Sequence, residues 1–226
     1  KGFYEQLAIE ELGQAITAPA KPAALTQPEK TAAAQNAGLQ RGLIALSFGL
    51  RSEGNREWNY TTNLHTPGGM SERELLAAAD FACSKQVWDR CINTSDRTKT
   101  QIDFDQRFPM PLKETVLRKS KDVQLDPAYV YGLIRQESRF IMDARSGVGA
   151  SGLMQVMPFW CRVIGDGDAS RLFHMQTNLR FGCVILRHYL DREQGNLFMA
   201  LGRYNGSRGQ APYPQAVLAA KKNWDF

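Results

Sequence analysis

The chain has no apolar run approaching the roughly 18 residues that a membrane-spanning helix needs, which excludes a helical membrane span. Its 226 residues are 43% hydrophobic and its mean hydropathy is -0.39, a globular composition long enough for one large domain or a domain with a smaller module. There is no lysine- or arginine-rich block. The net charge of +5 and pI of about 9.1 arise from scattered residues, so an anionic polymer is a compatible partner and nucleic acid is not indicated. Histidine is scarce: His65, His174 and His188 stand far apart and do not read as metal ligands. Cysteine is limited to Cys83, Cys91, Cys161 and Cys183, without CxxC spacing, so no zinc site is expected. Four cysteines allow three pairings or four buried free thiols; the disulfides expected are Cys83–Cys91 and Cys161–Cys183. Neither an initiator Met nor a signal peptide opens the chain, and Lys1-Gly2-Phe3 runs straight into helix-like residues, which reads as a mature or excised fragment of a longer protein.

Alternating apolar and polar runs long enough for a strand are also missing, so the expected fold is all-α. After a proline-bearing loop over 18–27, helical spacing covers 32–50, 54–64, 71–82 and 86–100, with Ser71 and its following acids marking a capped start. The chain breaks around Phe108-Pro109-Met110-Pro111. The boundary is placed there, dividing a helical region 1–110 from a second domain 111–226. Beyond it, helices are expected at about 112–123, 127–140, 154–164, 177–192 and 197–204, with room for a short hairpin over 141–152.

Within the second domain one acid is out of place. Val130, Ile134, Glu137 and Ile141 follow one another at three- and four-residue steps, the apolar stripe of a helix that Asp126 caps and Pro127 opens. A carboxyl group in such surroundings is hard to ionise and can keep a proton to donate near neutral pH. Gly147, Gly149 and Gly152 then match GxGxxG, but the segment before them is helical and no βαβ unit surrounds them, so a dinucleotide site is excluded. The small residues suit a tight loop that returns Ser146 toward Glu137.

Glu137-Ser138, then Ser146 within SGVGASGLMQVMP, then Tyr204-Asn205 resemble the three signature motifs of the soluble lytic transglycosylases, bacterial peptidoglycan enzymes with a lysozyme-like catalytic domain. The resemblance is strong from about Pro111 to Asn205. Upstream, Trp88-Asp89-Arg90 and Asn93-Thr94-Ser95-Asp96-Arg97 resemble the linker domain of the large soluble enzyme, and FYEQLAIEELG resembles the end of its α-superhelix. The resemblance implies cleavage of the β-1,4 bond between N-acetylmuramic acid and N-acetylglucosamine without water, leaving a 1,6-anhydro end. Glu137 would be the sole acid and then base, and glycan strands of peptidoglycan the partner. No cofactor or metal is expected, and the chain would act as a monomer in the periplasm or cell envelope. Ser146 would bond near the acid, Gln155 and Met157 would line the sugar groove, and Tyr204-Asn205 would direct the tyrosine hydroxyl at Glu137. The alternatives are a goose-type lysozyme, which hydrolyses the same bond, and an inactive peptidoglycan-binding scaffold. Two positions depart from the family pattern: Gly206 after Tyr-Asn, and Pro212-Tyr213-Pro214-Gln215-Ala216 where a Pro-Tyr/Phe-x-Glu-Thr motif is usual.

Overall fold

A computed structural model describes residues 20–206 and 212–221. The expected helix at the start of the chain, with its superhelix-like FYEQLAIEELG, lies outside the described residues. Those described are all-α: their only β contacts are the isolated bridges Arg145–Ser151 and Ser151–Val156. They fall into two compact units, which divide between Pro109 and Met110.

In the first unit, helix α1 (Gln27–Gln35) is opened by a capping box in which Thr26 accepts from the Glu29 N–H and the Glu29 carboxylate accepts from Thr26. The single helix expected over 32–50 is in fact two. Asn36 takes an extended conformation, ends α1, and its side chain accepts the Leu39 N–H to start α2 (Ala37–Ser47), because an Asn side chain competes for backbone donors that a helix would otherwise use. Helix α3 (Arg51–Asn63) packs on α2 through buried Trp58, whose indole N–H donates to Thr94 at 2.9 Å. Helix α4 (Glu72–Ser84) starts at Ser71 in the capping box that the acids predicted, and α5 (Trp88–Ser95) follows. Cys83 and Cys91 join these two helices in a disulfide. The short α6 (Phe104–Arg107) completes this unit.

The second unit comprises α7 (Lys113–Asp122), α8 (Pro127–Glu137), α9 (Phe159–Ile164), a 3₁₀ turn (Ala169–Phe173), α10 (Met175–Arg192), α11 (Leu197–Asn205) and α12 (Pro212–Lys221). Helix α8 begins as its sequence demands: Asp126 accepts the Ala128 N–H at 2.9 Å, and Pro127 occupies the first turn. Val130, Leu133 and Ile134 are sealed into the core. The helix stops at Glu137, three residues short of expectation. Ser138 turns its hydroxyl to the Leu153 carbonyl at 2.7 Å, and Arg139 and Phe140 take left-handed φ of 47° and 64°, which puts Phe140 in the core and reverses the chain.

Helix α9 starts at Phe159 rather than 154, because Ser151 and Val156 bridge each other across a turn before Pro158. Helix α12 was not expected at all. Both Pro212 and Pro214 sit in its first turn, where a missing N–H costs nothing. α12 lies against α8 with Gly132 at the approach; a Cβ there would stand 3.0 Å from the Val217 carbonyl oxygen.

The expected Cys161–Cys183 bridge is not formed. Both thiols are buried and free. Burial pushes both thiols above their ordinary pKa, so both stay protonated near neutrality.

Candidate active site

Glu137 is the last residue of α8. Its position at the helix end places the carboxyl where the chain leaves the core, half-buried and still reachable. Burial raises its pKa from 4.5 to about 7, against the opposing effect of hydrogen bonds from Tyr213 and Asn205. The order of these effects decides its chemistry: desolvation outweighs two hydrogen bonds that favour the carboxylate, so the group titrates near neutrality. The same acid can then donate a proton and afterwards hold one as base.

Each partner is delivered by its own helix. Asn205 ends α11, where Gly206 at φ 81° closes the helix in a left-handed cap. Tyr213 sits in the first turn of α12, and its hydroxyl donates a short hydrogen bond to Glu137 Oε1. Burial, together with the adjoining carboxylate, pushes the Tyr213 hydroxyl far above its ordinary pKa of 10, so it remains a neutral donor.

The loop between Ser138 and Pro158 forms the floor. Asn178 on α10 is 1% exposed and fully committed to it, accepting the Met154 N–H and donating to the Ser151 and Leu172 carbonyls, all at 2.8 Å. Gly152, at φ 78°, passes so close that a Cβ would meet Asn178 Nδ2 at 2.2 Å and the Leu172 oxygen at 2.5 Å. Glycine is required there on both counts.

Of the residues singled out from sequence, Glu137 and Asn205 meet directly. Tyr204 is placed differently from expectation. Its hydroxyl donates to the Met154 carbonyl at 2.7 Å rather than to Glu137, although the carboxylate is near enough to help hold the phenol in its neutral form, after burial itself. The tyrosine that reaches the acid is Tyr213. Tyr213 occupies the Tyr/Phe place of the altered Pro-Tyr/Phe-x-Glu-Thr motif, which is the signal in the sequence that marks it. Ser146 accepts the Ala150 N–H at 3.0 Å, and among the described residues no hydrogen bond joins it to Glu137; it closes the loop. Gln155, at φ 48°, donates from Nε2 to the Ala144 and Gly152 carbonyls, which leaves only its carbonyl oxygen for a ligand. Met157 is half-buried where the loop passes into α9. Ser138, which follows Glu137 in the first motif, ties the loop to α8, and Asn178, which ties it to α10, was not singled out, since a lone asparagine carries no periodic signal. Among the described residues, no group of three His, Cys, Asp or Glu is placed to hold a metal ion.

Known proteins resemble this chain in sequence and fold. Residues 114–224 match the model of the Transglycosylase SLT domain. The chain is 26% identical over 223 residues to the soluble lytic murein transglycosylase of Salmonella typhimurium, covering 93% of this chain and 33% of that protein. It is 38% identical over 98 residues to a transglycosylase of Enterobacteria phage PRD1, covering 43% of this chain and 36% of the phage protein. The chain thus spans about a third of the length of these curated relatives. Among solved structures, an inactive mutant of lytic transglycosylase Slt from Pseudomonas aeruginosa superposes with a TM-score of 0.81 at 26% identity, over 97% of this chain and 40% of that one. The 70-kDa soluble lytic transglycosylase in complex with bulgecin A shares the fold, with a TM-score of 0.80 at 21% identity, over 100% of this chain and 41% of that one. These matches show that residues 114–224 form a Transglycosylase SLT domain, the domain of the soluble lytic transglycosylase family.

Proposed function

We propose that this chain is a peptidoglycan lytic transglycosylase that cleaves the β-1,4 bond between N-acetylmuramic acid and N-acetylglucosamine without water. The observation that carries this reading is the environment of Glu137. Its pKa of about 7 comes from burial, and its hydrogen-bond partners are the neutral donors Tyr213 and Asn205. Two-carboxylate glycosidases set a second acid at a defined separation to activate water or attack the sugar. Asp143, the acid that follows the helix most closely, lies exposed on the loop.

One carboxyl is sufficient for ring closure. Protonated Glu137 gives its proton to the glycosidic oxygen as the C1–O bond breaks. The carboxylate it becomes is favoured by the Tyr213 and Asn205 hydrogen bonds, and it takes the proton of the C6 hydroxyl as that oxygen bonds to C1. The acid is regenerated and the product ends in a 1,6-anhydro ring. Within this reading Gln155 offers its carbonyl oxygen to the sugar, Met157 lines the groove, Ser146 and Tyr204 hold the loop around the acid, and no cofactor takes part.

The unit spanning 20–109 is then the family's linker domain, and the substrate is the glycan strand. The chain works as a monomer in the bacterial periplasm, a compartment that suits the Cys83–Cys91 disulfide. Digestion of purified peptidoglycan followed by mass spectrometry tests the reaction: anhydro ends are expected from the parent and none from Glu137→Gln. Reducing ends would support hydrolysis of the goose-type lysozyme kind instead, and no release at all would leave a binding scaffold.

A further inference from the structure

The acid–base chemistry leaves a cluster of four aromatic rings unused. Phe159 and Trp160 open α9, while His188 and Tyr189 lie in the last turns of α10. Phe159 and Trp160 have ring centroids 5.0 Å apart and are inclined by 31°, so Phe159 lies partly over the indole and is backed by it. Tyr189 and His188 meet the indole edge-on, at 6.0 Å and 5.9 Å, and so brace it. A cluster that served only the core would be covered. Here Phe159 is 46% exposed and Val163, one turn further along α9, is 63% exposed. His188 is exposed as well, and Trp160 and Tyr189 are half-buried. Large apolar side chains grouped at a surface in this way mark a binding site more often than they mark a fold requirement.

The cluster adjoins the acid's surroundings. Phe159 follows Met157 by two residues. Tyr189 lies seven residues after Gly182, and therefore on the same face of α10. Gly182 rests against the Met154 side chain, and the Met154 carbonyl receives the Tyr204 hydroxyl. The cluster and Glu137 thus stand on one compact unit, linked through Met154 and Tyr204.

We propose that Phe159 and Trp160 form a stacking platform for an N-acetylated hexose of the glycan strand, a contact remote from the bond being cleaved. This rests on the transglycosylase reading of the chain. A pyranose with equatorial hydroxyls presents axial C–H groups on its faces, and these carry the partial positive charge that the negative face of an aromatic ring attracts. The hydroxyls stay at the rim, where the exposed His188 ring can exchange hydrogen bonds with them. A protein partner would need a much wider area than these few side chains offer. Because the indole is braced on two sides, little side-chain freedom is lost when sugar binds.

The test uses Glu137→Gln protein, which binds without turnover, titrated with the dimer and the hexamer of N-acetylglucosamine. Phe159→Ala and Trp160→Ala, each added to that background, are expected to weaken hexamer binding about tenfold and leave dimer binding unchanged. Equal loss for both oligomers, no loss for either, or no hexamer binding by the starting protein would overturn the platform. Phe159 is exposed enough that its truncation leaves the fold intact, so that variant decides the question if Trp160→Ala unfolds. Product analysis on the wild-type protein separates the two readings. Reducing ends accompanied by the expected length dependence would remove the transglycosylase and keep the platform, whereas anhydro ends without length dependence would do the reverse.

Discussion

Replacing Glu137 by Gln should make the protein more stable at alkaline pH and leave its stability at acidic pH unchanged. Folding lifts the carboxyl pKa from 4.5 to about 7, so between these values the folded state holds a proton that the unfolded state has released. Stability must therefore fall as pH rises through this window and level off above it. The whole shift corresponds to about 3 kcal/mol. The carboxyl keeps some contact with solvent, which screens part of that cost and leaves about 2 kcal/mol. Gln cannot ionise, yet its carbonyl oxygen can still accept from Tyr213, so it imitates the protonated acid. Urea unfolding of both proteins should give matching stabilities at pH 4. By pH 8 to 9 the variant should lead by about 2 kcal/mol. A gap that is constant across the range, or one that favours the parent at high pH, would refute a carboxyl pKa raised by burial.

Other consequences follow from the neighbours. The Tyr213 hydrogen bond lowers the Glu137 pKa, so Tyr213→Phe should move the alkaline limb of the activity profile to higher pH; an unmoved limb, or one moved toward acid, would remove Tyr213 from the site. Asn178→Leu strands the Met154 N–H and the Ser151 and Leu172 carbonyls and should cost about 3 kcal/mol or more in denaturant unfolding; a loss under about 1 kcal/mol would mean water replaces the side chain. Unfolded, non-reduced protein should present two titratable thiols, Cys161 and Cys183, rather than four or none. Reducing Cys83–Cys91, which are eight residues apart, should cost about 2.5 kcal/mol by loop entropy.

The all-helical class was legible because no stretch of the sequence alternates long enough for a strand and several helices carry their own capping residues. Asp126-Pro127 and the Ser71 capping box fixed helix starts through side-chain chemistry that acts locally. Glu137 could be read for the same reason, as a polar residue interrupting a periodic apolar stripe. What escaped was set by tertiary contacts. The end of α8 depends on Ser138 reaching the Leu153 carbonyl, fifteen residues away, and no local pattern encodes that. Asn36 was hidden inside a long run of helix-compatible residues, where its capping role competes with continuation. The helix that Pro212 and Pro214 open is held by lying on α8, at Gly132, and on α11, contacts that no local pattern encodes. With that helix missed, Tyr213 went unrecognised as the acid's partner, and Tyr204 received the role in its place. Pairing the buried thiols failed for a related reason, since sequence spacing carries no information about which way each sulfur faces.

The most direct test of the central claim is digestion of peptidoglycan in water enriched in oxygen-18, with the muramoyl ends read by mass spectrometry. Ring closure driven by Glu137 alone predicts ends lighter by one water and free of label. Reducing ends carrying oxygen-18 would show that water attacks the sugar, and would contradict the single-acid account.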